Sequence, residues 1–132
     1  MSNSSRNDSS DTTRVTNQTM GAFGEQIVVN YLVERNIRIV DRNWRIREGE
    51  IDIVARHENG AYAFVEVKTR SSLAFGHPLE SISREKAYRL QRLSLAWLAI
   101  NHAFGEPFTI DCAAVLISPT GQGLVEYRAG VL

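Results

Sequence analysis

Hydrophobic and polar positions alternate in two neighbouring runs separated by a turn. Gly49–Arg56 (GEIDIVAR) places Ile51 and Ile53 on one side and Glu50, Asp52 and Val54 on the other, a period of two that predicts a strand. Ala61–Arg70 (AYAFVEVKTR) is β-branched and aromatic, and its Glu66 and Lys68 point to one face. Between the runs, Asn59-Gly60 tolerates the positive φ angles of a tight hairpin turn. Such a hairpin brings Asp52 beside Glu66. Two carboxylates and an ammonium then sit together on an otherwise apolar sheet.

The flanking patterns supply the remaining elements. Phe23, Ile27, Val28, Tyr31 and Leu32 form an apolar stripe that predicts a helix over 20–35, with Thr19 as its N-cap. Residues 37–47 (IRIVDRNWRIR) predict a strand bent around Asp41-Arg42-Asn43. The connection 71–83 contains Gly and Pro, carries His77 and Glu80, and is expected to cover the site. A second helix is predicted over 83–102, capped by Ser83, with Ala87, Leu90, Leu93, Leu95, Trp97, Leu98 and Ile100 as its apolar surface. Residues 108–118 predict a buried strand, and 123–129 a short last strand after the turn at Pro119-Thr120-Gly121. Residues 1–19 offer almost nothing to bury and are expected to form a disordered N-terminal tail. The expectation is one α/β domain over 20–132, in the order αβββαββ.

Charged side chains inside an apolar strand are costly unless paired or bound to a cation. An Asp beside a Glu repels it, and a hard divalent cation removes the conflict, since Mg²⁺ takes one or two carboxylates plus waters and phosphates. Lys68 cannot share the cation but can hold a water or a phosphate oxygen. Metal, water and lysine together describe phosphodiester hydrolysis. A salt-bridge cluster on a solvated sheet face would use the same residues, so other parts of the chain have to separate the two readings. Glu25 lies at the edge of the first helix's stripe, where it complements the helix dipole. From there it can also look toward Asp52 and Glu66, completing a metal site or orienting the attacking water.

Arg42, Arg45 and Arg47 surround Trp44, an arrangement that stacks bases and grips phosphates, or that merely places a half-buried Trp under an edge strand. Arg84, Lys86, Arg89 and Arg92 crowd the start of the second helix against its dipole. A phosphate backbone along that helix would resolve the conflict; a solvated basic face is the alternative. Asp111 is read as accepting hydrogen bonds from a neighbouring Arg or a backbone N–H rather than binding metal. His57, His77 and His102 have no zinc-site spacing, and the chain carries no phosphate-cradling loop or dinucleotide fingerprint.

Composition narrows the picture further. Fifteen basic and 15 acidic residues balance, so no global field draws in nucleic acid. Cys112 stands alone, which excludes an internal disulfide and fits a reducing cytoplasm. Without an 18-residue apolar run or a signal segment, a cytoplasmic protein with no membrane partner is expected.

GEIDIVA followed by FVEVKTR resembles the active-site signature of the PD-(D/E)xK nuclease superfamily. More narrowly, Gly24-Glu25, Asn43-Trp44-Arg45, Gly49-Glu50-Ile51-Asp52, Phe64 to Arg70, Phe75-Gly76 and Lys86 resemble the bacterial YraN-like family, itself similar to archaeal Holliday junction resolvases. The resemblance spans about residues 20 to 117. It implies a restriction-endonuclease-like three-layer core with a central mixed β-sheet flanked by helices, and Mg²⁺- or Mn²⁺-dependent cleavage of DNA, including branched or processed DNA. Asp52 and Glu66 would be metal ligands, Lys68 would hold the water or the phosphate charge, and Glu25 would match the helix glutamate that resolvase-like members add. Arg45, Arg70, Lys86 and Arg89 would meet nucleic acid. Junction cutting would favour a symmetric dimer, and a protein this neutral leaves room for a partner protein that supplies DNA affinity. The alternative is a non-catalytic nucleic-acid- or protein-binding module retaining the nuclease fold. The sequence departs from the family at Thr109-Ile110-Asp111, where members often carry Arg-Phe-Asp.

Overall fold

The computed structural model describes residues 17–71 and 83–132. In chain order the elements are α1 (Asn17–Glu34), β1 (Arg38–Ile46), β2 (Gly49–Arg56), β3 (Tyr62–Ser71), α2 (Arg84–Ile100), β4 (Phe108–Ile117) and β5 (Gly123–Arg128). This is the expected αβββαββ order. The five strands form one mixed sheet in the order β1-β2-β3-β4-β5, antiparallel throughout except for the parallel pair β3/β4. That parallel pair is bridged by α2, as parallel neighbours need a crossover.

The helices cover opposite faces and make three layers. On one face Val28, Val29 and Leu32 of α1 pack on Ile53, Ala55, Ala63, Val65, Ala113 and Val115. On the other, Leu90, Leu93, Trp97 and Leu98 of α2 pack on Ile51, Val54, Tyr62, Phe64 and Ile110. The Phe64 ring meets Trp97 and Phe108 edge-on at 5.7 and 5.6 Å, geometries that add to simple burial.

Local chemistry sets the ends of the elements. α1 stops where Asn36 turns left-handed (φ 64°) and Ile37 N–H reaches back to Leu32 O at 3.0 Å, a Schellman closure that Asn tolerates. Ser83 caps α2 by accepting Lys86 N–H at 3.0 Å, as expected. Thr19 does not cap α1; the helix begins at Asn17, because the polar residues before Met20 continue the helical turn. Phe23, placed in the α1 stripe, is 48% exposed, and Val29 is buried in its stead. Leu95 and Ile100 of α2 likewise face outward, while Ser94 is buried with its hydroxyl donating to Leu90 O. A small residue that satisfies its own hydroxyl within the helix can take a core position.

The hairpin between β2 and β3 differs in detail from the expected tight turn. Gly60 is left-handed (φ 94°) but Asn59 is not. His57 O accepts Gly60 N–H at 2.9 Å, and Asn59 Oδ1 accepts Ala61 N–H at 2.9 Å. The result is a longer loop in which only the glycine needs positive φ. Residues 1–16, most of the expected tail, and residues 72–82, including His77 and Glu80, lie outside the described residues. Among the described residues no helix is long and apolar enough to cross a membrane.

Candidate active site at a fork in the sheet

The sheet splits at one end. The β2/β3 ladder ends at Ile53↔Val65, whereas β1/β2 pairing continues to Ile46↔Gly49 and β3/β4 pairing to Ser71↔Ile117. Beyond Ile53 and Val65 the β1–β2 pair therefore peels away from β3–β4. β1 bends as expected, with a bulge between Ile39 and Asp41 and a left-handed Asn43 (φ 53°). The pairs Arg42↔Ile53 and Trp44↔Ile51 bracket Asn43 and Asp52. Across that step the strands turn over: Ile53 packs under α1 but Ile51 packs under α2. The expectation that Ile51 and Ile53 share a face is thus corrected, because strict alternation fails where a strand bends.

Asp52 stands at the fork. Its Oδ2 accepts Val67 N–H at 2.8 Å, taking a donor that the β2/β3 ladder no longer reaches. Its carboxyl is pushed up from an ordinary 3.8 to about 7, by burial first and then by the charge of Glu66, while the Val67 bond pulls the other way. Glu50 and Glu25 add weaker repulsion. The charge conflict inferred from sequence is present in the fold.

Glu66 lies next along β3, and Lys86 Nζ of α2 reaches its Oε2 at 2.7 Å. Lys68 lies close enough to Lys86 and Glu66 to feel both charges, so the two lysines and Glu66 form one electrostatic cluster. Burial and the neighbouring Lys86 charge hold the Lys68 ammonium below the ordinary lysine range. Burial also works against the Lys86 charge, but its bond to Glu66 and the Glu66 charge more than offset that and hold it above the ordinary value.

Two hollows meet at this fork, with Glu50 bordering both. The α1-side hollow, about 390 Å³, is lined by Glu25, Asn43, Arg45, Glu50, Asp52 and Val67 among others. The α2-side hollow, about 210 Å³, includes Glu66, Lys86 and Arg89. Glu25 is 7% exposed and faces the first hollow, but its Oε2 already accepts Arg42 Nε–H and Asn43 Nδ2–H, each at 3.1 Å. Among the described residues no three His, Cys, Asp or Glu side chains are grouped to hold one metal ion. The expected set of Asp52, Glu66 and Glu25 is therefore not assembled; Arg42 and Asn43 hold Glu25 back. Asp52 and Glu66 remain as neighbouring hard oxygen donors, which suits the chemistry of Mg²⁺ or Mn²⁺.

The basic residues divide. Arg45 pairs across the ladder with Glu50 at 3.0 Å on the rim of the larger hollow. Arg89 lies exposed at the smaller one, and Arg70 is near enough to depress Lys68. Lys86 turns inward onto Glu66 rather than out along the helix. Asp111 accepts the Tyr127 hydroxyl and Gly130 N–H, so a tyrosine and a backbone group take the place of the neighbouring Arg. Arg42 was expected in a phosphate-gripping cluster around Trp44 and Asn43 at the bend of β1; instead both bond Glu25.

A family model described as "Uncharacterised protein family UPF0102" matches residues 24–115. A UPF0102 protein of Beutenbergia cavernae is 46% identical over 112 residues, covering 85% of this chain and 94% of the relative. One from Arthrobacter sp. is 46% identical over 113 residues, covering 85% and 94%. One from Trichlorobacter lovleyi is 40% identical over 111 residues, covering 84% and 87%. Among solved structures, Pyrococcus furiosus SfsA in complex with Ca²⁺ overlaps 89% of this chain and 64% of its own, at 17% identity and a TM-score of 0.35, too loosely to bear on function.

Proposed function

The chain belongs to the UPF0102 family, and from that premise we propose that it is a Mg²⁺- or Mn²⁺-dependent nuclease that hydrolyses phosphodiester bonds in DNA. The observation that carries this reading is Asp52 at the fork, a half-buried carboxylate beside Glu66 with its pKa raised to about 7. Two neighbouring carboxylates, of which only Glu66 has a cationic partner, favour a divalent cation, and perturbed acids of this kind concentrate at functional sites.

Asp52 and Glu66 would hold the cation, which when bound lowers the pKa of a water and polarises a phosphoryl oxygen. The Val67 N–H fixes the Asp52 carboxylate, leaving Oδ1 for a ligand. Lys68, with its depressed pKa, is suited to hold the attacking water or to meet charge developing on the phosphate. As the water oxygen bonds to phosphorus, the ester oxygen leaves; the water gives up a proton and the departing oxygen gains one. Arg45 and Arg89 at the two rims, with Arg70, would grip flanking phosphates. Branched DNA as substrate would call for a symmetric dimer, since two strands must be cut in one complex.

The second reading, a nucleic-acid- or protein-binding module without turnover, is favoured by one observation: Glu25 and Glu66 are both already ion-paired. Four-way junction, duplex and single-stranded DNA incubated with Mg²⁺ or Mn²⁺ separates the two. Wild type is expected to cleave at least one substrate, with cleavage lost in chelator and in a folded Asp52→Asn variant. Cleavage unchanged in Asp52→Asn would overturn the assignment, and cation-independent DNA binding without cleavage would favour the module.

A further inference from the structure

Lys86 was expected to meet DNA from the outer face of α2, yet it is the residue through which α2 reaches the fork. It occupies the first turn of α2, where a positive charge opposes the helix dipole. Its neighbours Arg84 and Arg89 point to solvent, while Lys86 is half-buried with Nζ 2.7 Å from Glu66 Oε2. Lys68 lies close by, so a second ammonium shares the cluster with Glu66 and Asp52. A divalent cation arriving at Glu66 adds further positive charge to this cluster and repels both ammoniums.

Resting on the cation-dependent reading of this site, we infer that Lys86 is an exchangeable counter-ion of Glu66: a divalent cation displaces it, and the released ammonium binds a DNA phosphate. In the metal-free protein Lys86 neutralises Glu66 and competes with the cation for it. Once displaced, Lys86 stays at the smaller hollow with Arg89 and Glu50, where a DNA phosphate entering the hollow would take the released ammonium. Cation and DNA then reinforce each other's binding, and that coupling is reciprocal. Lys86 is a positioning residue in this scheme, since it acts through Glu66 before it touches substrate.

The test is a calorimetric titration of Mn²⁺ into wild type, Lys86→Met and Lys86→Arg, each without DNA and then with a four-way junction. Without DNA, Lys86→Met should bind Mn²⁺ about fivefold more tightly than wild type, because the competing charge is gone. Lys86→Arg, which keeps the charge, should remain near wild type. DNA should tighten Mn²⁺ binding in wild type more than in Lys86→Met. A merely structural lysine would give unchanged or weaker Mn²⁺ binding in Lys86→Met. That result, with wild type binding normally, overturns the exchange and leaves the nuclease reading standing. If wild type binds no Mn²⁺ in either condition, the cation-dependent reading itself fails. Should Lys86→Met show no cooperative melting transition, Lys86→Gln is the second neutral variant held to the same outcomes.

Discussion

Asp52 concentrates the cost of this site in one side chain. An acid raised from 3.8 to about 7 keeps its proton in the folded protein at a pH where the unfolded chain has released it. The folded state then binds more protons, so the stability Asp52 contributes at low pH is lost as pH rises from about 4 through about 7. Asparagine at this position retains an oxygen to accept the Val67 N–H and has no charge to bury. In chelating buffer at pH 8, Asp52→Asn is expected to be more stable than wild type by ~2 kcal/mol, about half of what the full shift would carry, since the side chain keeps some solvent contact. The gain should fade as pH drops toward 4. Urea melts of both proteins across that range check it, and equal stability at pH 8 would remove the charge conflict from the account. The pairing of Asp52 with Glu66 was legible in the sequence because an acid inside each of two apolar strands joined by Asn59-Gly60 had few other places to go. The capture of Glu25 by Arg42 and Asn43 was not, since it depends on how a helix and a bent strand meet.

At the scale of elements, the approach of α1 to β3 decides where Glu25 can point. Gly24 lies so close to β3 that an added Cβ would stand 2.0 Å from Thr69 Oγ1 and 2.9 Å from Thr69 Cβ. Thr69 is β-branched, paired with Val115 of β4 and with its hydroxyl buried, and has little room to yield. Gly24→Ala should therefore lift α1 off the sheet and destabilise the fold by about 2 kcal/mol. A urea melt measures this, and wild-type stability in the variant would mean that the helix can shift freely. Strand and helix identities followed from periodicity, and Ser83 announced the start of α2. The outward turn of Phe23, Leu95 and Ile100 did not, because an apolar stripe wider than its contact patch leaves some members in solvent. The inward turn of Lys86 was hidden for the converse reason: a lysine among arginines reads as surface until the partner carboxylate is placed beneath it.

At the scale of the whole molecule, the site exists because three ladders end at different places. β1/β2 and β3/β4 continue past the point where β2/β3 stops, and the gap brings Asp52, Glu66, Lys68 and Lys86 into one electrostatic group. Ladder length is a property of sheet twist and packing, so the sequence could show the three-layer order αβββαββ without showing the fork. Under the proposed function, the same fork would let a chain with no net charge meet a polyanion, since positive groups need only be local to the gap. The most direct test is calorimetric titration of Mg²⁺ and Mn²⁺ into wild type and Glu66→Gln, repeated with a four-way junction present. The account predicts cation binding by wild type, strengthened by the DNA, and its loss in a folded Glu66→Gln variant. No cation binding by wild type even with DNA, or binding that Glu66→Gln retains in full, would contradict it.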